Sequence, residues 1–207
     1  MAQQNYPAIP LVLILTVIGV ASCSAEKQFP IPENQFCSAI MEGRSSYAEA
    51  GTIQNLDEAN RIRREIRAQR KKEMFAILPK GEIMGWDGKV KSLMSPDHTA
   101  QLKLEIPCHD VLLIDQEISK NSPLFLRLQK LGTEQDLIFF GVFEPSLVGD
   151  PDAFLELSAT EAESLSKPKF LINLLRVFSG KSAPSEEQLR QAHQAVESYL
   201  LSDRHLM

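Results

Sequence analysis

The stretch AQLKLEIPC, residues 100–108, constrains this chain more than any other. Ala100, Leu102, Leu104, Ile106 and Cys108 alternate with Gln101, Lys103 and Glu105. A period of two places the apolar set on one face of a strand and the polar set on the other. The strand must therefore belong to a sheet with one dry face and one wet face, and other elements must cover the dry one. Pro107 predicts a bend or bulge before the next strand, VLLID.

Further strand signals stand on both sides. In MGWDGKV, Met84, Trp86, Gly88 and Val90 alternate with Gly85, Asp87 and Lys89. Trp86 is thus expected to share a face with Val90 and to pack in the core rather than stack on a ligand. Asp87-Gly88 is alternatively a two-residue hairpin that would split the strand. Ser95 to His98, SPDH, reads as a turn. DLIFFGVF, residues 136–143, is apolar on both faces, as in a strand covered on both sides. KFLINLLRVF, residues 169–178, reads as a strand or as a buried helix.

Three helices are predicted around these strands. Asn55 with Glu58 three residues on forms a capping-box pattern, Leu56, Ala59, Ile62 and Ile66 follow as an apolar stripe, and Pro79 stops the run. In NSPLFLRLQKLG, Ser122 suits the N-cap, Pro123 the first helical position, and Gly132 the end. Ser185 with Gln188 opens a last helix whose stripe is Leu189, Ala192, Val196 and Tyr199.

Three strands, a helix and two more strands is the element order of an OB-fold, a five-stranded barrel whose helix lies between the third and fourth strands. The blocks LPKGEIMGWDGKV, LKLEI, SPLFLRLQKLG, FFGVF and KPKFLINLLRVF also resemble those of bacterial hypothetical proteins with an OB-like domain, over roughly residues 74–178. Trp86-x-Gly88, Ser122-Pro123-Leu124 and Phe140-Gly141-x-Phe143 carry that resemblance, which implies a fold and no catalytic residue. The expected class is α+β, a small OB-like barrel flanked by an N-terminal basic helix and a C-terminal helix.

Ahead of this domain, LVLILTVIGVA, residues 11–21, is an unbroken apolar run. It is short of the roughly 20 residues that a spanning helix needs and suits the core of a signal peptide. Val20, Ala21 and Ser22 precede Cys23, and VASC resembles the lipobox of bacterial lipoproteins. That resemblance implies cleavage before Cys23, its acylation, and a membrane anchor through the N-terminal lipid. Ser24 after the cysteine resembles the outer-membrane sorting signal. The first ten residues, MAQQNYPAIP, depart from signal peptides in having no Lys or Arg; a short uncleaved anchor, or a start site placed too far upstream, are the other readings. The expected organisation is a signal peptide over 1–22, a tether over 23–54, an amphipathic helix over 55–78, the barrel over 79–180 and a C-terminal helix over 181–207.

In an oxidising envelope space Cys37 and Cys108 are candidates for a disulfide, the alternative being two buried thiols. Their loop of about 70 residues would be worth about 4 kcal/mol by chain entropy. RIRREIRAQRKK, residues 61–72, carries seven cations against one acid. Arg61, Arg64, Arg67 and Lys71 are candidate contacts for an anionic surface; the favoured reading is a solvated face balanced by acids elsewhere in the fold.

Function classes narrow by charge and motif. Net charge is −5 over 207 residues. Residues 132–166 hold eight acids, from Glu134 to Glu163, and no Lys or Arg. Nucleic-acid grooves need cations, so no nucleic-acid partner is expected. GEIMGWDGK is not a phosphate loop, because Ile83 stands where a glycine is required and Val90 where a hydroxyl is. Asp150 and Asp152 in GDPDAF lack the further spaced ligands of a calcium loop, so no metal or cofactor is expected. Cys108 and His109 are neighbours in PCHD, but adjacent strand residues face opposite ways, so a nucleophile or metal site there needs partners from elsewhere. The expected function is a non-enzymatic, lipid-anchored envelope protein facing the periplasm, binding a protein, peptide or saccharide. The alternative is a thiol- or metal-dependent envelope enzyme centred on Cys108 and His109.

Overall fold

A computed structural model of the chain describes residues 30–95, 98–108, 110–146 and 153–202. Cys23 and the apolar run before it, His109, and Asp150 with Asp152 lie outside the described residues. Among the described residues no helix is long and apolar enough to cross a membrane.

Five strands close into a barrel: β1 (Glu82–Met94), β2 (Thr99–Ile106), β3 (Val111–Ser119), β4 (Asp136–Phe143) and β5 (Lys169–Ser179). Their order round the barrel is β1-β2-β3-β5-β4, with every pairing antiparallel except β3 with β5. Helix α3 (Pro123–Leu131) joins β3 to β4, the short helix α4 (Glu161–Ser166) precedes β5, and α5 (Glu186–Leu201) follows it. This is the small OB-like barrel that the element order predicts.

The alternation in β2 is realised as read: Ala100, Leu102, Leu104, Ile106 and Cys108 are all buried. In β1 the strict alternation fails at Gly85. That residue adopts φ +70°, and the pairing with β4 slips between Met84 and Trp86. Glycine takes this backbone without a Cβ penalty, and the extra residue makes a bulge that reverses the facing. Ile83 and Trp86 consequently share the barrel interior, while Met84 packs on the outside against Phe140 and α5. β1 runs unbroken through Asp87-Gly88, so there is no hairpin at that pair.

β4 is covered on both sides. Leu137, Phe139 and Phe143 point into the barrel, and Phe140 and Val142 lie under Ala192 and Val196 of α5 (Glu186–Leu201). The Ser185–Gln188 capping box starting α5 is formed in both directions. Ser122 Oγ caps α3 by accepting from Phe125 N–H at 3.1 Å.

The stretch expected to be a tether is, from Ile31 onward, a helix. α1 (Ile31–Ala50) and α2 (Leu56–Ile77) form a hairpin against one end of the barrel. Pro30 and Pro32 do not break α1, because they stand at its start, where the missing N–H has no intrahelical acceptor to leave unpaired. Phe36 enters the barrel end, its ring centroid 5.2 Å from those of Trp86 and Phe143 and 5.7 Å from that of Phe170. Phe125 and Leu128 of α3 close the opposite end.

The stripe of α2 differs from the expected one. Leu56 is 74% exposed. Ala59 is buried, Ile62 and Ile66 half-buried, and the same face runs on through Arg70 to Met74. A cation thus occupies a position where the periodicity calls for an apolar side chain.

Candidate functional site

The sulfurs of Cys37 and Cys108 are bonded, with Cα atoms 5.0 Å apart and a sequence separation of 71. The bond ties the first turns of α1 to the β2–β3 turn, so Cys108 presents no thiolate while it is intact. Glu33, one turn before Cys37, is fully buried and accepts from the backbone N–H of Asp87 at 3.2 Å. Among the described residues no group of three His, Cys, Asp or Glu side chains is placed to hold a metal ion.

The cations of α2 divide between two duties. Arg61 is exposed and paired with Glu65 at 2.7 Å, Arg64 is exposed, and Arg67 and Lys71 are half-buried. Arg63 lies over the Tyr47 ring at 5.0 Å. Arg70 turns inward. Its guanidinium donates to the Ser164 carbonyl, to Ser164 Oγ at 2.9 Å and to Glu156 at 3.0 Å, with both ionic side chains at most 3% exposed. Gly43 of α1 makes room for it, since a Cβ there would stand 3.1 Å from Arg70 Cδ. Burial lowers the Arg70 pKa, and Glu156 partly offsets this. Glu163 is likewise paired, with Lys169. With Glu134 paired to Lys91 at 3.2 Å, three of the eight acids of residues 132–166 are therefore partners of cations within the protein.

The chemistry open to solvent lies elsewhere, in a cleft of about 650 Å³. β3 and β5 pair only from Leu112 to Ile114 and from Lys169 to Leu171. Beyond that the strands part, and α3 and α5 form walls on either side of the gap. Side chains replace the missing ladder. Asp115 Oδ2 accepts from Leu174 N–H at 2.8 Å, and Arg127 Nη1 donates to the Val177 carbonyl at 3.0 Å. Asp115 Oδ1 also accepts from Glu117 N–H at 3.0 Å. Arg127 lies over the Phe178 ring at 5.7 Å.

Asp115 is 5% exposed, and burial pushes its pKa up to about 6 against the pull of its two backbone donors. Asn173 Nδ2 is buried and has no partner in the protein. Gln188, Gln191 and Tyr199 face the cleft from α5, and Arg176 from β5. A buried carboxylate, two guanidinium groups, three amides and a phenol make a recognition surface rich in directional hydrogen bonds.

None of these cleft residues was singled out in the sequence as a site residue, although Gln188 and Tyr199 were read as structural positions of the last helix. One signal was present: VLLID carries Asp115 at the end of a buried run. The structure brings Cys37 and Cys108 together, and along α2 it leaves Arg61 and Arg64 exposed and Arg67 and Lys71 half-buried.

Compared with models of known protein families, with curated proteins and with solved structures, the chain matches none.

Proposed function

We propose that this chain is a lipid-anchored envelope protein whose OB-like barrel serves as a binding module rather than an enzyme. Its anchor is the lipid on Cys23, its compartment is the periplasmic side of the envelope, and its ligand, a peptide, saccharide or segment of another protein, sits in the cleft beside Asp115.

The observation that carries this reading is the Cys37–Cys108 bond. Structural disulfides persist in oxidising spaces and are rare where thiols are kept reduced. Here one half of the pair lies fourteen residues after the lipobox cysteine, so the anchored end and the barrel would be fastened together as the exported chain folds. The same bond counts against a nucleophile at Cys108, because attack requires a free thiolate.

Mass spectrometry of the membrane fraction, with thiol labelling before and after reduction, tests the reading. The expected result is an acylated Cys23 at the mature N-terminus, with Cys37 and Cys108 labelled only after reduction. An intact Met1 on soluble protein, with Cys37 and Cys108 reactive from the start, would overturn it.

A further inference from the structure

We infer that the cleft between β3, β5, α3 and α5 is a site for a short peptide with a free amino group and a free carboxylate, lying along β5. This deepens the binding-module reading and rests on it.

Charge and spacing support the assignment. The cleft has an acidic pole, Asp115 with Glu117, and a cationic pole, Arg127 with Arg176. The two poles are fixed on one strand, because Asp115 is bonded at Leu174 and Arg127 at Val177. Three residues of strand at about 3.3 Å each set these two backbone anchor points at most about 10 Å apart, the bulge at Leu175 shortening the run. An extended tripeptide has nearly the same reach, about 10 Å between its charged ends. Its ammonium would meet the carboxylate pole and its carboxylate the guanidinium pole, both as charge-assisted hydrogen bonds.

The lining between the poles suits peptide groups. Asn173 offers a buried donor that lacks a protein partner, Gln188 brings its Nε2 donors while its Oε1 accepts from Ser185 N–H, and Gln191 brings its Oε1 acceptor while its Nε2 donates to Glu187. Leu124, Leu175 and Phe178 supply apolar wall for small side chains. A neutral saccharide would leave Asp115 and Arg127 without an ionic partner; a zwitterion compensates both. Ionisation follows the same logic. The charges of Glu117 on β3 and Glu144 after β4 act on Asp115, while Arg127 on α3, Arg176 on β5 and Tyr199 on α5 line the same cleft. Burial pushes the Asp115 pKa up to about 6. An ammonium beside it favours the charged form, so affinity should fall as pH drops through about 6.

Calorimetric titration of the full chain with Ala-Ala-Ala at pH 7.5 tests this, beside N-acetylated and C-amidated Ala-Ala-Ala and chitotriose. The unblocked tripeptide should bind, and each blocked form should bind about tenfold more weakly or worse. Arg127→Gln should weaken the unblocked peptide by a similar factor and leave the amide unchanged, a pattern that general loosening of the fold does not produce. Equal affinity for blocked and unblocked peptides, or no peptide binding at all, overturns the inference. Chitotriose bound in place of the peptide removes the peptide assignment and leaves the binding-module reading standing; an unmodified Cys23 removes the envelope reading on independent grounds.

Discussion

At the end of the barrel closed by α1, Phe36 fills the opening, a disulfide holds the helix down, and a buried Arg70–Glu156 pair fixes the hairpin to the segment after β4. Along the flank where β3 leaves β5, a ladder is missing, two side chains cap the exposed backbone, and burial pushes the pKa of a carboxyl group up to about 6. Both regions bury charge, yet they treat it oppositely. The closed end gives its cation an internal counterion and two further acceptors on Ser164. The open flank sets its acid and its nearest cation against backbone groups of β5, three residues apart, rather than against each other. Charge that is matched internally holds a fold together; charge that lacks an ionic partner remains available to a ligand.

The sharpest way to break this contrast is Arg70→Ala. It would strand the buried Glu156 carboxylate and cost about 3–5 kcal/mol in urea unfolding. Replacing both partners, Arg70→Met with Glu156→Leu, should recover most of that loss, since the penalty comes from an uncompensated charge. A double variant as unstable as the single one would show that the Ser164 bonds, not the ion pair, secure the hairpin.

Asp115 should give the next largest effect, and one of opposite sense. The folded protein keeps this proton up to about pH 6, whereas an unfolded chain releases it near pH 4. Protonation therefore favours the fold: the contribution is fully present below about pH 4 and is lost as pH rises to about 6. The difference corresponds to about 3 kcal/mol. The stability gap between wild type and Asp115→Asn, measured by denaturant midpoint, should shift by that amount between pH 4 and pH 7. A gap that stays constant would mean that the carboxyl ionises as an ordinary surface acid.

Ser185→Ala probes the wall of the cleft and should have the smallest effect. It removes the capping box and should cost about 1 kcal/mol in thermal or urea unfolding. Hydrogen exchange should localise the loss to the first turn of α5, next to Gln188 and Gln191. Equal loosening throughout the barrel would show that α5 is integral to the closed core.

Local chemistry made much of the barrel legible. Ser122-Pro123, Ser185 with Gln188, and the alternation from Ala100 to Cys108 each specify an element through neighbours in sequence, and each element forms where its signals stand. The failures have physical causes. The buried face of α1 is built from Glu33, Phe36, Ala39, Ile40, Gly43 and Ala50, half of them small, and its two prolines look like breakers when helix position is unknown. The bulge at Gly85 depends on a backbone angle that alternation does not encode. The cleft was illegible for a stronger reason: its residues come from β3, α3, β5 and α5, and only the parting of two strands brings them together. Asp115 was the one visible hint, a carboxylate where a buried residue was due.

The Cys37–Cys108 bond also changes how the molecule carries a pull. Without it, tension between the N-terminal segment and anything gripped in the cleft would travel through the whole helical hairpin and the first two strands. With it, the covalent route passes from Cys37 straight into the β2–β3 turn and along β3 to Asp115, bypassing the chain between two cysteines whose sequence separation is 71. Drag on a captured partner would then load a single strand and a sulfur bridge, leaving α2 and its buried ion pair slack.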